Sequence, residues 1–107
     1  MTNTPEITVQ ELAAMQKSKE NIVILDVRNQ DEYDFCNIQG LLIPWSELPS
    51  RVSELDPDAT IVIHCHAGGR SRKATQFLLE KGFTKVFNLK GGITAWANEI
   101  DNTMPTY

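Results

Sequence analysis

The chain has little of what would mark several large classes of protein. Only two of its 107 residues are cysteine, Cys36 and Cys65. They make no Cys-x-x-Cys pair and no zinc-type spacing, so no metal site or disulfide framework is indicated. No apolar run approaches the roughly 20 residues of a membrane-spanning helix. The opening Met1-Thr2-Asn3-Thr4-Pro5-Glu6 lacks the basic and apolar regions of a secretory leader. A cytoplasmic location is therefore expected, with both cysteines as free thiols. Positive charge is also short. The formal net charge is −4, which gives neither nucleic acid nor an anionic membrane an electrostatic claim as main partner. An anionic substrate would need a local positive site. There are no repeats, low-complexity segments or internal linkers. Residues 1–107 read as one domain, with a loose lead-in over 1–5 and an irregular tail over 101–107.

What the chain does have is an alternation of strand and helix signals. Glu6-Ile7-Thr8 suits a short edge strand. Thr8-Val9-Gln10-Glu11 fits a capping box, and Val9, Leu12 and Ala13 mark one face of the helix that follows. Ile22-Val23-Ile24-Leu25 is continuous and mostly β-branched, as in a strand buried on both faces of a parallel sheet. Asn29 with Glu32 caps a short helix through Tyr33 and Phe35. Gly40 to Pro44 is extended, and residues 46–55 are expected to be helical until Asp56-Pro57-Asp58. Ile61 to Cys65 is a second buried strand. A helix from Ser71 carries Ala74, Phe77 and Leu78 and ends at Gly82, with Phe83 packing back in a Schellman-type cap. Lys85 to Leu89 is a strand, and Ile93, Trp96, Ala97 and Ile100 form a last helical stripe. This order predicts an α/β fold with a mainly parallel central sheet and helices on both faces. Ligands in such folds sit beyond the carboxyl ends of the strands. Asp26-Val27-Arg28 and Cys65 to Arg70 both fall there.

The chemistry concentrates in Cys65-His66-Ala67-Gly68-Gly69-Arg70-Ser71. A cysteine at the end of a buried strand, facing a glycine loop and a helix start, receives backbone N–H groups and the positive end of the helix dipole. These favour the thiolate, which is the nucleophile. Cys65 is accordingly the candidate reactive centre, although free cysteines are also common as small core residues. Glycine lets the loop turn its N–H groups inward. Arg70 adds a permanent cation and a planar donor fork. His66 either adds a charge or hydrogen bond or points to solvent.

Asp26-Val27-Arg28 with Glu32-Tyr33, Cys65 to Ser71, and Gly91-Gly92-Ile93-Thr94-Ala95-Trp96 together resemble a single-domain rhodanese, over most of Ile7 to Trp96. The resemblance implies a rhodanese-like fold and a thiosulfate sulfurtransferase-type activity. Cys65 would carry sulfane sulfur as a persulfide from a donor such as thiosulfate to a thiophilic acceptor such as cyanide or a thiol. The N–H groups of His66, Ala67, Gly68, Gly69, Arg70 and Ser71 would stabilise the anionic sulfur, and Arg70 would orient the donor. No cofactor is implied, and a monomer is expected. The related Cys-x5-Arg loops of phosphatases and arsenate reductases are one residue longer; here the sixth residue after Cys65, where that arginine would fall, is Ser71, with Arg72 just beyond. The ending Glu99 to Tyr107 resembles rhodanese domains fused to adenylyltransferases of molybdopterin and thiamine synthesis. That opens a second function, a protein-to-protein sulfur carrier with a sulfur-carrier protein as partner.

Asp26 should pair with a backbone donor or an arginine, with Arg28 its structural partner or, alternatively, a substrate ligand. Asn37 departs from a family position often held by histidine, and Gly40 to Pro44 is one residue short. The rim near Trp45 is therefore expected to be reshaped, with Trp45 either core or in contact with substrate. Trp96 is expected in the core. Cys36 is either incidental or a resolving thiol, the latter only within about 7 Å of Cys65 between Cα atoms.

Overall fold

The β-branched runs become the two central strands of one parallel sheet. The computed structural model describes residues 4–107. Its strands are β1 (Glu6–Ile7), β2 (Ile22–Asp26), β3 (Leu41–Leu42), β4 (Thr60–His64) and β5 (Val86–Leu89), in the order β1-β5-β4-β2-β3. Every pairing is parallel, and β2 and β4 register from Ile22 opposite Thr60 to Asp26 opposite His64. All the carboxyl ends therefore lie along one rim.

The period of two along the strands divides the interior into two cores. On one face, Leu25, Ile61, Ile63 and Cys65 pack with Leu48 of α3 (Leu48–Arg51) and with Ala74 and Leu78 of α4 (Gly69–Glu80). On the other, Val62 and Leu89 pack with Val9 and Leu12 of α1 (Val9–Lys17) and with Ile93 and Trp96 of α5 (Gly92–Glu99). Trp96 is core, as expected. The short α2 (Gln30–Phe35) buries none of its residues and bridges β2 to β3.

The local signals act as their chemistry requires. Thr8 Oγ1 accepts from Glu11 N–H at 3.1 Å, and Glu11 accepts from Thr8 N–H at 2.9 Å, closing the capping box. At the end of α4, Phe83 N–H reaches Leu78 C=O and Gly82 N–H reaches Leu79 C=O, both at 3.1 Å, which is the Schellman pairing.

Three expectations need correction. The helix over 46–55 is broken into a 3₁₀ turn (Trp45–Glu47), α3, and a second 3₁₀ turn (Val52–Glu54). Pro49 has no N–H for the i→i−4 ladder, so a long regular helix does not propagate through it. The helix after the cysteine loop starts at Gly69 rather than Ser71, because the left-handed Gly68 (φ 116°) caps it without a side-chain bond. Residues 1–5 were expected to be loose. Met1 to Asn3 lie outside the described residues, but Thr4 Oγ1 accepts from Gln76 at 2.9 Å and Pro5 C=O accepts from Asn88 N–H at 2.8 Å.

Candidate active site

Cys65 follows β4 and is buried, at 2% exposure. Its sulfur accepts from Gly68 N–H at 3.2 Å and lies 3.4 Å from the Ser71 hydroxyl. Burial pushes the thiol pKa up. The Ser71 hydroxyl and the N–H groups of Ser71, Gly68 and Arg70 outweigh it and leave Cys65 below the ordinary thiol value. The loop therefore favours thiolate.

The loop holds this shape because its carbonyls are fixed from outside. Ile93 N–H donates to Cys65 C=O at 3.0 Å, and Thr94 N–H and Oγ1 donate to His66 C=O at 3.1 and 3.0 Å. Two carbonyls thus turn towards the start of α5, while the N–H groups of Gly68, Arg70 and Ser71 further along turn towards the sulfur. The contact needs Gly92, which sits at φ 60° and would place a Cβ 2.5 Å from His66 O and 2.6 Å from Cys65 O. The Gly91-Gly92 break in the sequence is thus a close approach of α5 to the Cys65 loop.

The six loop residues read as substrate-binding part company here. Gly68, Arg70 and Ser71 turn N–H groups to the sulfur. Ala67 and Gly69 face a groove of about 630 Å³ beside the loop, whose wall also carries Arg72, Lys73 and Lys90. His66 turns outward. Its ring stacks on Tyr107 with centroids 4.1 Å apart, and its Nε2 lies 2.7 Å from Tyr107 O.

Arg70 does not stand free as a donor-orienting cation. Its two terminal nitrogens grip Glu32 at 2.7 and 2.9 Å. That guanidinium holds the Glu32 carboxyl far below the usual carboxylate range, against the opposing effect of burial. Tyr107 Oη donates to Glu32 Oε2 at 2.7 Å and accepts from Arg28 Nη1 at 3.0 Å. Arg28 is fully buried and is the partner of Asp26, with its Nη2 2.7 Å from Asp26 Oδ2. It also donates to Cys36 C=O at 2.7 Å. Arg28 is therefore structural, clamping the end of β2 to the end of α2.

The tail over 101–107 is irregular, as expected, yet it returns to the site. The sequence offered no signal for this beyond an aromatic at position 107. Glu32 was read as a helix cap and as part of the family resemblance, and it keeps the cap by accepting from Asn29 N–H at 3.0 Å. Its grip on Arg70 was missed because the pair lies 38 residues apart. Asn37 serves its own turn, donating to Tyr33 C=O at 3.1 Å and accepting from Gln39 N–H at 2.9 Å. Trp45 is half-buried and sets its ring edge-on to Phe77 at 6.2 Å, on the α4 side of the sheet. Cys36 packs in the α1–α5 core and Cys65 in the α3–α4 core, which favours the incidental role for Cys36. Arg72 is exposed and lies 3.5 Å from Glu6, with which it lines the groove beside the loop.

A parallel α/β sheet with a buried cysteine at the strand rim, its sulfur met by N–H groups of the following loop, narrows the class of protein. The comparisons give the family within it. The rhodanese-like domain model matches residues 8–99, and the chain belongs to that family. It is 36% identical over 93 residues to a sulfurtransferase of Allochromatium vinosum, covering 86% of this chain and 87% of that one. It is 35% identical over 101 residues to a putative sulfur carrier protein, YrkF, of Bacillus subtilis, covering 94% of this chain but 55% of the relative. Of the adenylyltransferase and sulfurtransferase UBA4 of Meyerozyma guilliermondii it spans 27%. Among solved structures, a rhodanese-related protein from Thermoplasma volcanium superposes with TM-score 0.81 at 30% identity, covering 90% and 93% of the two chains. The parallel sheet and flanking helices are those of rhodanese-like structures. Among the described residues, no helix is long and apolar enough to cross a membrane.

Proposed function

We propose that this chain moves sulfane sulfur through a persulfide on Cys65. The thiolate attacks the outer sulfur of a donor such as thiosulfate. The new Cys65 S–S bond forms as the donor's S–S bond breaks, and sulfite leaves with that electron pair. The terminal sulfur then passes to a thiophilic acceptor, cyanide or a thiol, and the Cys65 thiolate returns. The observation that carries this reading is the set of donors on the Cys65 sulfur, from Gly68, Arg70 and Ser71. The same donors suit a negative charge on the terminal sulfur of the persulfide. The short Cys-x4-Arg ring supports sulfur over phosphate or arsenate chemistry, and Arg72 lies 3.5 Å from Glu6.

A protein-to-protein route is the second reading. It is favoured by the relatives named as a sulfur carrier and as fused adenylyltransferase–sulfurtransferases. Intact mass after incubation with thiosulfate tests the first step. The protein should gain one sulfur that cyanide removes, and Cys65→Ala should gain none. No gain on folded, reduced protein would reject thiosulfate as donor.

A further inference from the structure

Ser71 on α4 and Asn88 on β5 are polar side chains at 0% and 1% exposure. They link the Cys65 sulfur to the edge of the sheet. Ser71 Oγ lies 3.4 Å from Cys65 Sγ and 2.5 Å from Asn88 Oδ1. Asn88 Nδ2 donates to Glu6 Oε2 at 2.9 Å, across the β1–β5 pair in which Glu6 and Asn88 are register partners. The chemistry of these groups fixes the proton at each link. A carboxylate only accepts, so the amide must turn its NH2 to Glu6 and its oxygen to Ser71. An amide oxygen only accepts, so Ser71 must donate to it. A hydroxyl has one proton, and the Cys65 sulfur is a second claimant to it.

We propose that Asn88, locked by Glu6, is a positioning residue for Cys65 that competes with the sulfur for the single Ser71 hydroxyl proton. While Cys65 is a thiol, Ser71 donates to Asn88 and accepts from the S–H. When Cys65 ionises, the hydroxyl swings to the thiolate. Asn88 Oδ1 is then buried without its donor, which disfavours that state. On sulfur transfer the Cys65 S–S bond forms and sulfite leaves with the donor's electron pair. The negative charge comes to rest on the terminal sulfur, and the hydroxyl returns to Asn88. No proton leaves the Ser71 oxygen at any step. Asn88 therefore holds back the thiolate and favours the loaded state. The return to Asn88 rests on the persulfide reading above; the competition in the free protein does not. A thiolate held back in this way is also the stronger nucleophile.

Cys65 alkylation against pH, in a Cys36→Ala background, is the test. Asn88→Leu should lower the titration by about half a unit to one unit, the worth of one hydrogen bond. It leaves the neighbouring charged and titratable groups in place: Glu6, Arg72, Lys73 and Lys90 along the groove, Arg70 with Glu32, His66 on the loop, and His64 beside Asp26. In a Ser71→Ala background the same substitution should move nothing. A titration that stays or rises in Asn88→Leu overturns the inference. So does an equal fall in the Ser71→Ala background, which would mean that Asn88 acts through loop shape. Glu6→Gln is a second variant at a more exposed side chain, with Asn88 intact. Glutamine meets the Asn88 amide in either orientation, so the lock opens and the titration should again fall. Any part of that fall that survives in the Ser71→Ala background belongs to the lost charge, and survival of all of it refutes the lock. The loaded state has its own readout. At fixed thiosulfate and sulfite, above the titration, the ratio of persulfide to free protein by intact mass should drop about threefold to tenfold in Asn88→Leu. An unchanged ratio overturns the return of the hydroxyl to Asn88. If the unaltered protein gains no sulfur, the persulfide reading fails and that return falls with it, whereas the competition is decided by the titrations alone.

Discussion

Gly92→Ala is the sharpest probe of how the loop is held. A Cβ at residue 92 would sit 2.5 and 2.6 Å from two backbone oxygens, those of His66 and Cys65. Backbone atoms cannot rotate aside, so α5 must retreat or the loop must shift. The left-handed conformation costs alanine about 1–2 kcal/mol. Retreat also weakens the bonds from Ile93 N–H, Thr94 N–H and Thr94 Oγ1, each with a net value of about 0.5–1.5 kcal/mol. The total is about 3–5 kcal/mol, a large share of the ~5–15 kcal/mol that typically stabilises a domain. Gly82→Ala is the control. Gly82 also has positive φ (95°), but nothing lies within 4 Å of the added Cβ, so only the backbone cost of about 1–2 kcal/mol applies. Urea unfolding of both variants measures the difference. Alkylation of Cys65 against pH, in a Cys36→Ala background, measures the loop. In the unaltered loop the titration should lie below the usual ~8.5 of a free cysteine, and Gly92→Ala should move it up towards that value. Equal losses in the two variants, with an unmoved Cys65 titration, would refute the claim that α5 shapes the loop.

The remaining predictions concern the buried polar groups. Arg28→Met leaves Asp26 buried without its cation and frees Cys36 C=O; it should cost about 3–5 kcal/mol in urea unfolding at neutral pH, and a loss below about 1 kcal/mol would deny Arg28 its clamping role. Ser71→Ala removes the hydroxyl 3.4 Å from the sulfur, so the Cys65 titration should rise and alkylation at pH 7 should slow several-fold while the rate at pH 10 holds. An equal slowing at both values would mean access, not ionisation, had changed. His64 is fully buried and neither ring nitrogen has a hydrogen-bond partner. Burial lowers its pKa, and Arg28 adds to that against the pull of Asp26. The unfolded chain therefore binds the proton first, and this contribution to stability is lost as pH falls below the unfolded value of about 6.5. His64→Leu should flatten that acid limb and leave stability at pH 7.5 unchanged or up by about 1–2 kcal/mol, read from urea midpoints at pH 5 and 7.5.

Most of the fold was legible because its signals are local. The β-branched runs at 22–25 and 61–63, the Thr8–Glu11 capping box and the Gly82–Phe83 cap each depend on residues a few positions apart. Cys65 was legible for the same reason, since the strand, the glycines and the helix start are contiguous with it. The partner of Arg70 was not. A sequence shows that residue 70 carries a charge but not that a carboxylate 38 positions earlier consumes it. Pro49 was visible, and its effect was underestimated, because its tolerance near a helix start hid the cost of extending the helix across the missing N–H.

The site separates two tasks that a charged loop would combine. The Cys65 sulfur is met by the N–H groups of Gly68, Arg70 and Ser71 and by the Ser71 hydroxyl, in a loop whose Cys65 and His66 carbonyls are tied to α5. Arg70 is then free to act as a structural strut. Through Glu32 it joins α4 to α2, and through Tyr107 it joins the tail to Arg28 and the end of β2. The Arg70–Glu32 ion pair holds three distant segments together, while the Cys65 sulfur depends on the loop's N–H groups and on the Ser71 hydroxyl. Substitutions in the Glu32–Tyr107–Arg70 group should therefore loosen α2 and the tail before they shift the Cys65 titration, whereas substitutions at the α5 contact should shift that titration directly.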